Sequence, residues 1–149
     1  MIPRFLERFE IDFFLVAMPY TLLDQPALAA ELPVCLERGV SVVIGAVFAS
    51  GILARGPGEG ALYAYKPAER EVVERTRRVE TICARHGVPL AAAALQFPLN
   101  HPAVASVIPG PNSPAQVRAN LQHMRRVIPT DLWAELKAER LIHPAAPTP

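Results

Sequence analysis

Short apolar runs alternate with amphipathic segments along this chain. Three of the runs are nearly continuous and rich in β-branched or aromatic residues, which is typical of strands: FFLVA at 13–17, SVVIGA at 41–46 and VASVI at 104–108. A run without polar positions suits a strand that is covered on both faces, so we expect three buried strands.

The segment between the first two strands predicts a helix over 27–38. Gly39 would end this helix, and Pro33 would kink it or split it in two. Just upstream, Asp24 is a plausible helix cap and Pro26 suits an early helical position.

A longer amphipathic helix is predicted over 69–87, with Gly87 at its end. One face of this helix carries, at helical spacing, Val72, Thr76, Val79 and Cys83. The glycine-rich segment before it, 51–67, predicts a long loop of the kind that often forms a lid or a binding segment.

Three further helices are predicted in the second half of the chain: 90–97 between two prolines, 114–125, and a last one that Thr130 caps and that extends to residue 140. The last residues, HPAAPTP, have no apolar pattern. We therefore expect one domain over 1–142 and a flexible tail over 143–149.

The order of the predicted elements is strand, helix, strand, two helices, strand, two helices. Such alternation is typical of α/β proteins with parallel strands joined by crossover helices. A three-stranded parallel sheet has two open edges and needs cover on both faces. The pattern therefore indicates a sector of a larger sheet.

Composition narrows the class of protein. The chain has 149 residues, of which 51% are hydrophobic and 19% charged, as in one globular domain. Its net charge is +1 without a basic block, which disfavours nucleic-acid binding. Cys35 and Cys83 sit in apolar helical stretches and are expected to be buried, reduced thiols, while the histidines show no metal-ligand spacing.

No segment suggests a membrane or an export signal. The most apolar run, from Gly39 to Ala54, is shorter than the ~20 residues that a membrane-spanning helix needs. The first residues, MIPRFLERFEID, contain acidic side chains and no long apolar core, unlike a signal peptide. We expect a cytoplasmic protein without membrane contact.

The stretch VIPGPNSPAQVRAN, which joins the third strand to the next helix, is a candidate binding segment. Ser113 and Gln116 form a capping box, with Pro114 at the first helical position. Pro109 and Gly110 turn the chain at the carboxyl end of a parallel strand, where α/β proteins bind ligands. A helix start there attracts phosphate. The residues alone leave two interpretations open, a ligand site and ordinary helix capping.

The helix after this turn carries two neighbouring stripes. Ser113, Gln116 and Asn120 share a polar stripe at 100° per residue. Beside it runs an apolar stripe that we expect to be buried: Val117, Leu121 and Met124. Asn120 borders the apolar stripe, where its amide would need a partner.

Several segments, in order, resemble the carboxyl-terminal part of the aldo/keto reductases. IPG at 108–110 followed by Ser113, Gln116 and Asn120 resembles the last strand and helix of that family, and PLAAAALQFPLNHPAVASVIPG resembles the segment that leads into them. DFFLVAMPYTLLDQ and GVSVVIGAVFASGIL resemble its sixth and seventh strands, in the sugar-dehydrogenase and pyridoxal-dehydrogenase branch. The resemblance extends from about Phe9 to Leu141 and implies about three strands, with helices, of a TIM-like (β/α)₈ barrel that this chain does not complete.

The resemblance also implies a cofactor and a site. In that family NADP or NAD lies across the carboxyl-terminal mouth of the barrel, and a hydride passes to or from a carbonyl carbon. By the resemblance, Ser113, Gln116 and Asn120 contact the adenosine end. By the same resemblance, the phosphate region lies at the last strand and its turn, at Ile108, Gly110 and Asn112. The pyrophosphate and nicotinamide would lie along the turn after the strand before it, at Ala46, Phe48, Ser50 and Gly51.

Three features depart from the family pattern. Gly45 stands where many members place a Tyr under the nicotinamide, so ring stacking would fall to Phe48. Asn112 replaces a basic residue that usually meets the 2′-phosphate, so NAD is at least as plausible as NADP. The family's catalytic Tyr, Lys, Asp and His come from earlier strands and are absent. Tyr20, Tyr63 and Tyr65 are poor replacements. Adjacent loop positions such as Tyr65 and Lys66 do not hold such a pair in hydrogen-bond range, and Tyr20 suits a packing or pocket-wall role.

Three functional hypotheses follow. The first is the cofactor-holding portion of an oxidoreductase that acts on a sugar or a small carbonyl compound and that is active only when other segments supply the acid–base residues. The second is a catalytically inactive, shortened product. The third is an interaction module that associates with itself or another protein through its open strand edges.

Overall fold

The structure, a computed structural model, describes the whole chain, residues 1–149. The helices are α1 Ile2–Leu6, α2 Glu31–Glu37, α3 Ile52–Arg55, α4 Arg70–Arg85, α5 Leu90–Gln96, α6 Pro114–Arg125 and α7 Thr130–Ala138. The strands are β1 Phe13–Ala17, β2 Ser41–Gly45, β3 Leu62–Tyr63, β4 Lys66–Pro67 and β5 Val104–Ile108. Short 3₁₀ helices cover Pro26–Leu28, Ala49–Gly51 and Phe97–Asn100.

The three predicted strands form one parallel sheet in the order β1-β2-β5. β1 and β2 pair without a break from Phe13 opposite Ser41 to Ala17 opposite Gly45. The α/β prediction with three parallel strands is thus confirmed, and the sheet remains open at β1 and at β5. All three carboxyl ends meet at one edge of the sheet.

Helices cover only one face of this sheet, which we call the outer face. Phe14, Val16 and Val107 pack there against the core. The opposite face, called the inner face below, is open, and Phe13 and Leu15 on it are 60% and 61% exposed. Its residues are Phe13, Leu15, Ala17, Ser41, Val43, Gly45, Ser106 and Ile108. The expectation that each strand is covered on both faces is therefore wrong, because this chain supplies one helical layer.

The core lies between the outer face and the helices. Trp133 of α7 packs on Phe97, with ring centroids 6.1 Å apart, and Phe97 packs on Tyr20 at 5.2 Å. α4 contributes the face predicted for it, with Thr76, Val79 and Cys83 fully buried. Both cysteines are buried and unpaired, as expected.

The helix predicted over 27–38 is split, although not at Pro33. The break lies between the 3₁₀ helix Pro26–Leu28 and α2, and Pro33 sits in the first turn of α2, where its missing N–H needs no partner. Asp24 caps neither piece; its carboxylate accepts a hydrogen bond of 2.6 Å from the Tyr63 hydroxyl. The predicted cap is wrong because a partner distant in sequence holds that carboxylate.

Two further local expectations need correction. The segment 51–67 is not a structureless loop, since it contains α3 and the antiparallel hairpin of β3 and β4. Thr130 begins α7 as its first residue and makes no capping hydrogen bond. The boundary at residue 142 stays a prediction; beyond it the His143 N–H donates to Gln25 Oε1 at 3.0 Å, and Ala146 is buried. None of the helices combines the length and apolarity that a membrane crossing requires.

Candidate functional site

A cleft of about 620 Å³ opens at the carboxyl edge of the parallel sheet, where β2 and β5 end. Nine of the ten residues predicted from the sequence line it: Ala46, Phe48, Ser50, Gly51, Ile108, Gly110, Asn112, Gln116 and Asn120. The tenth, Ser113, lies beside it as the cap of α6. The fold thus brings two segments 60 residues apart into one site, while their role in binding a cofactor stays a prediction.

The turn after β2 has an unusual backbone. Ala46, Ala49 and Ser50 have φ values of 53°, 48° and 62°, and Gly51 reaches 101°. Left-handed conformations are costly for residues with a Cβ and cluster at ligand sites. The Ser50 hydroxyl accepts a hydrogen bond of 2.9 Å from the Tyr65 N–H, so the hairpin helps to hold this turn. The segment therefore presents a fixed backbone surface to the cleft.

Arg55 supplies the guanidinium of the cleft, and no sequence pattern marked it as a site residue. Its guanidinium lies over Gly51, since a Cβ on residue 51 would come within 2.9 Å of Arg55 Nη2. None of the ion pairs in the structure includes Arg55. No carboxylate lines the cleft. An unpaired cation in a site without acidic groups favours an anionic ligand.

The start of α6 forms the other wall of the cleft. The Ser113 hydroxyl accepts the Gln116 N–H at 3.2 Å, which confirms Ser113 as the cap. In a capping box the Gln116 side chain would accept the N–H of Ser113. Here its side-chain carbonyl accepts the N–H of the preceding residue, Asn112, at 2.9 Å. These two bonds fix the turn after β5, and the positive end of the α6 dipole faces the same edge.

The apolar stripe of α6 is exposed, contrary to the expectation that it is buried. Leu121 is 52% exposed, and Val117 and Met124 are also open to solvent. Together with the free edge of β5 they line a second groove of about 400 Å³. Asn120 lies between this groove and the main cleft. The stripe lacks cover because β5 is the last strand of the sheet.

Polar contacts hold α6 to the rest of the protein. The Gln96 side-chain N–H₂ donates to the carbonyls of His123 and Arg126, at 2.7 Å and 2.9 Å, and the Arg126 guanidinium donates to the Gly87 carbonyl. α6 itself has no buried residue. α6 also packs along α5, so its position rests on that contact, on its carboxyl-terminal end and on the turn that precedes it.

The tyrosines do not form an acid–base pair. Tyr20 is fully buried away from the cleft, and burial raises the pKa of its hydroxyl far above the ordinary value. Burial and the bond to Asp24 raise the pKa of Tyr63 to about 12. Tyr65 lines the cleft, but the adjacent Lys66 does not. The structure thus brings no lysine to a tyrosine in the cleft.

Two of the four histidines have structural explanations, and a third, His123, lines the cleft. His86 Nε2 lies 2.6 Å from Glu135 Oε2, and this contact lowers the pKa of the Glu135 carboxyl. His101 is buried, its Nδ1 accepts the Ala103 N–H, and burial lowers its pKa. No group of three or more His, Cys, Asp or Glu side chains is placed to hold a metal ion.

Comparison with known proteins assigns a chain of this architecture to a family. A model of the aldo/keto reductase family matches residues 2–140. The chain belongs to the aldo/keto reductase family. The resemblance inferred from the sequence is thereby confirmed.

Two curated relatives have names that fit the sugar-dehydrogenase and pyridoxal-dehydrogenase branch of the family. A pyridoxal 4-dehydrogenase from Microbacterium luteolum is 44% identical over 137 residues, and a D-threo-aldose 1-dehydrogenase from a Pseudomonas species is 43% identical over 141 residues. The matches cover 92% and 94% of this chain but 40% and 42% of the relatives. The chain thus spans about two fifths of their length.

Solved aldo/keto reductases share the fold. An enzyme of the family from Bacillus halodurans matches in its apo form with a TM-score of 0.73 at 28% identity, and in its holo form with 0.70 at 29%. Both matches cover 97% of this chain, and 48% and 47% of the respective structures. A glycerol dehydrogenase from Gluconobacter oxydans, 15% identical, has the same fold with a TM-score of 0.71. The prediction of an incomplete TIM barrel is confirmed.

Proposed function

We propose that this chain is the nucleotide-holding portion of an NAD(P)-dependent oxidoreductase. It would serve hydride transfer between the cofactor and a sugar or a small aldehyde or alcohol. The observation that carries the proposal is the cleft itself, in which nine predicted residues meet at the carboxyl edge of the sheet without a carboxylate among them. The names of the two curated relatives support a small carbonyl or sugar substrate.

The chemistry of the lining residues fits a dinucleotide. Arg55 would neutralise a pyrophosphate oxygen, and the turn from Ala46 to Gly51 would let the backbone approach it closely. Gln116 and Asn120 offer amide groups to the adenosine end, beside the positive end of α6. The bound nucleotide would supply or accept the hydride, and Phe48 would provide the apolar surface against which its ring is held.

Proton transfer would need residues from outside this chain. The cleft is lined by Tyr65 and His123 but by no lysine or carboxylate, so it lacks the set of groups that the family uses for acid–base chemistry. The role of this chain is therefore to bind and orient the cofactor. Activity would require the part of the barrel that the relatives possess beyond the matched region.

We propose that NAD binds at least as well as NADP. The cleft contains one guanidinium, that of Arg55, which follows β2 in the chain, whereas Asn112 belongs to the turn after β5. A 2′-phosphate next to Asn112 would thus lack a cation for a charge-assisted hydrogen bond. A cytoplasmic location is part of the same proposal, and the two buried, unpaired cysteines support a reducing compartment.

The test compares nucleotide binding by wild type with binding by Arg55→Gln. Binding is measured by NADH fluorescence and by isothermal titration calorimetry. Because a hydrogen bond to a charged group contributes about 1.5–3 kcal/mol, the variant should bind roughly tenfold to a hundredfold more weakly. Arg38→Gln is the matched control, since Arg38 is exposed at the end of α2 and does not line the cleft. Absence of binding by wild type would favour the inactive, shortened product instead.

A further inference from the structure

His123 extends the polar stripe of α6 by one turn. It follows Asn120 by three residues and Gln116 by seven, so the three side chains lie on one face of the helix. All three line the cleft, and His123 is half-buried there. The stripe therefore brings an imidazole to the part of the cleft that lies farthest along α6 from the turn after β5.

The ring of His123 has no hydrogen-bond partner within the protein, unlike the rings of the other three histidines. His86 Nε2 contacts a carboxylate, and Nδ1 of His101 and of His143 each accepts a backbone N–H. At His123 the backbone carbonyl, not the ring, accepts a hydrogen bond of 2.7 Å from the Gln96 side chain. This bond holds the backbone and leaves both ring nitrogens available to a ligand. A ligand that covers a half-buried imidazole displaces its water and must replace those hydrogen bonds.

Small apolar side chains line the same cleft. They come from three neighbouring helices, since α3 and α6 each pack on α5: Ala54 of α3, Ala91 of α5 and Ala119 of α6. A methyl group takes little space and offers a flat ring an apolar surface. Ligand sites commonly combine such walls with a few polar groups that fix the orientation of the ligand. The alanines and the imidazole therefore suit an uncharged aromatic ring rather than a phosphate.

We propose that His123 recognises the adenine base of the bound nucleotide, through a hydrogen bond from its imidazole to the edge of the base. A neutral imidazole has one donor and one acceptor. The edge of adenine likewise offers an amino group and ring nitrogens, so either tautomer of His123 finds a partner. The inference rests on the proposed function and adds to it the residue that selects the base.

The position of His123 favours adenine over the nicotinamide. The nicotinamide is proposed to lie at Phe48, in the turn after β2, whereas His123 belongs to α6, the helix proposed to hold the adenosine. A purine has two fused rings and reaches farther from the ribose than a pyrimidine does. The chain should therefore bind ADP, which lacks the nicotinamide, and should bind it more tightly than UDP.

Isothermal titration calorimetry with ADP, UDP and NADH tests the proposal. Compared with wild type, His123→Ala should bind ADP and NADH roughly two- to tenfold more weakly, because one hydrogen bond is lost. Its affinity for UDP should not change, so the preference for ADP should fall by the same factor. His123→Gln retains a donor and an acceptor and should recover part of the loss, whereas His123→Phe should not. His143→Ala is the matched control, since His143 is exposed and does not line the cleft.

The outcomes separate this inference from the proposed function. Alanine is a better helix former than histidine, so circular dichroism of His123→Ala should match wild type. Unchanged affinity of His123→Ala for ADP, or an equal loss for ADP and UDP, overturns the inference. Recovery by His123→Phe overturns the hydrogen bond in favour of stacking. Wild type that binds none of the three nucleotides rejects the proposed function itself, whereas binding that is insensitive to His123 rejects only the inference.

Discussion

The guanidinium of Arg55 rests on Gly51, so close that a methyl group on residue 51 would meet Nη2 at 2.9 Å. One turn of α3 separates the two residues, and the left-handed φ of 101° at Gly51 directs the chain into that turn. The backbone conformation at this position favours glycine, and an added methyl group would force the Arg55 guanidinium to move. The backbone turn at Gly51 thus places the Arg55 side chain, whose guanidinium is the single one in the cleft.

Gly51→Ala should therefore lower both stability and nucleotide affinity. The left-handed conformation at an alanine costs about 1–3 kcal/mol, and the methyl group would displace the Arg55 guanidinium. Urea denaturation measures the first effect and NADH titration the second. Gly58→Ala is the matched control, because Gly58 has ordinary φ and nothing within 4 Å of its added Cβ. Equal effects of the two substitutions would contradict the role assigned to Gly51.

Ser113→Ala should loosen the first turn of α6. Loss of an N-cap hydrogen bond costs about 1 kcal/mol. Because α6 buries none of its own residues, the loss should appear first as faster amide hydrogen exchange at Gln116 and Val117. Thr130→Ala serves as the comparison, since Thr130 begins α7 without a capping hydrogen bond. Unchanged exchange in α6 would show that the turn does not depend on this cap.

Tyr63→Phe should destabilise the protein by about 1–2 kcal/mol, because the Asp24 carboxylate would lose a half-buried hydrogen-bond donor. Tyr65→Phe should have little effect, since Tyr65 is 80% exposed. Spectroscopic titration gives a second measurement, in which one tyrosine should ionise near pH 12. A raised folded-state pKa means that this stabilisation is complete below the ordinary tyrosine pKa of 10.0 and is lost as the pH rises towards 12.

The Glu135 carboxylate should stabilise the contact of α7 with the end of α4. His86, and after it Arg85, lower the pKa of Glu135 below its ordinary value of 4.5. A lowered folded-state pKa means that the stabilisation is present above pH 4.5 and is lost as the pH falls through the folded-state pKa. Glu135→Gln should therefore have a lower urea midpoint than wild type at pH 7, and the difference should shrink towards pH 3.

Glu37→Gln is the control for this prediction, because Glu37 is exposed and belongs to none of the ion pairs. Its urea midpoint should follow that of wild type across the same range. A pH-independent difference for Glu135→Gln would indicate that packing, rather than charge, accounts for the effect of the substitution.

Features that depend on neighbouring residues could be predicted from the sequence. The runs at 13–17 and 104–108 became strands with those bounds, and Ser113 with Pro114 marked the start of α6 correctly. Apolar composition, a capping hydroxyl and a proline act within a few residues, so their effect is visible in the order of the chain. The candidate site was predicted in two ways: the capping pattern marked the turn after 104–108, and the resemblance to the aldo/keto reductases added the residues at 46–51.

Other features arose from residues far apart in the chain. Asp24 looked like a cap and instead binds Tyr63, 39 residues away. Arg55 gave no signal as a site residue, because nothing in GILARGPGEG shows that a left-handed Gly51 turns α3 back over the cleft. Such pairings depend on how elements pack, which no local pattern encodes.

By itself the sequence determined the three parallel strands, most of the helices and the capped turn after 104–108, because hydrophobic periodicity and capping are local properties, and the family resemblance added the segment 46–51. Only the tertiary structure decided which apolar residues are covered. Leu15 and Leu121 are as apolar as the residues of the core, yet both are exposed, because burial requires an opposing surface and a sheet of three strands has none beyond β1 and β5.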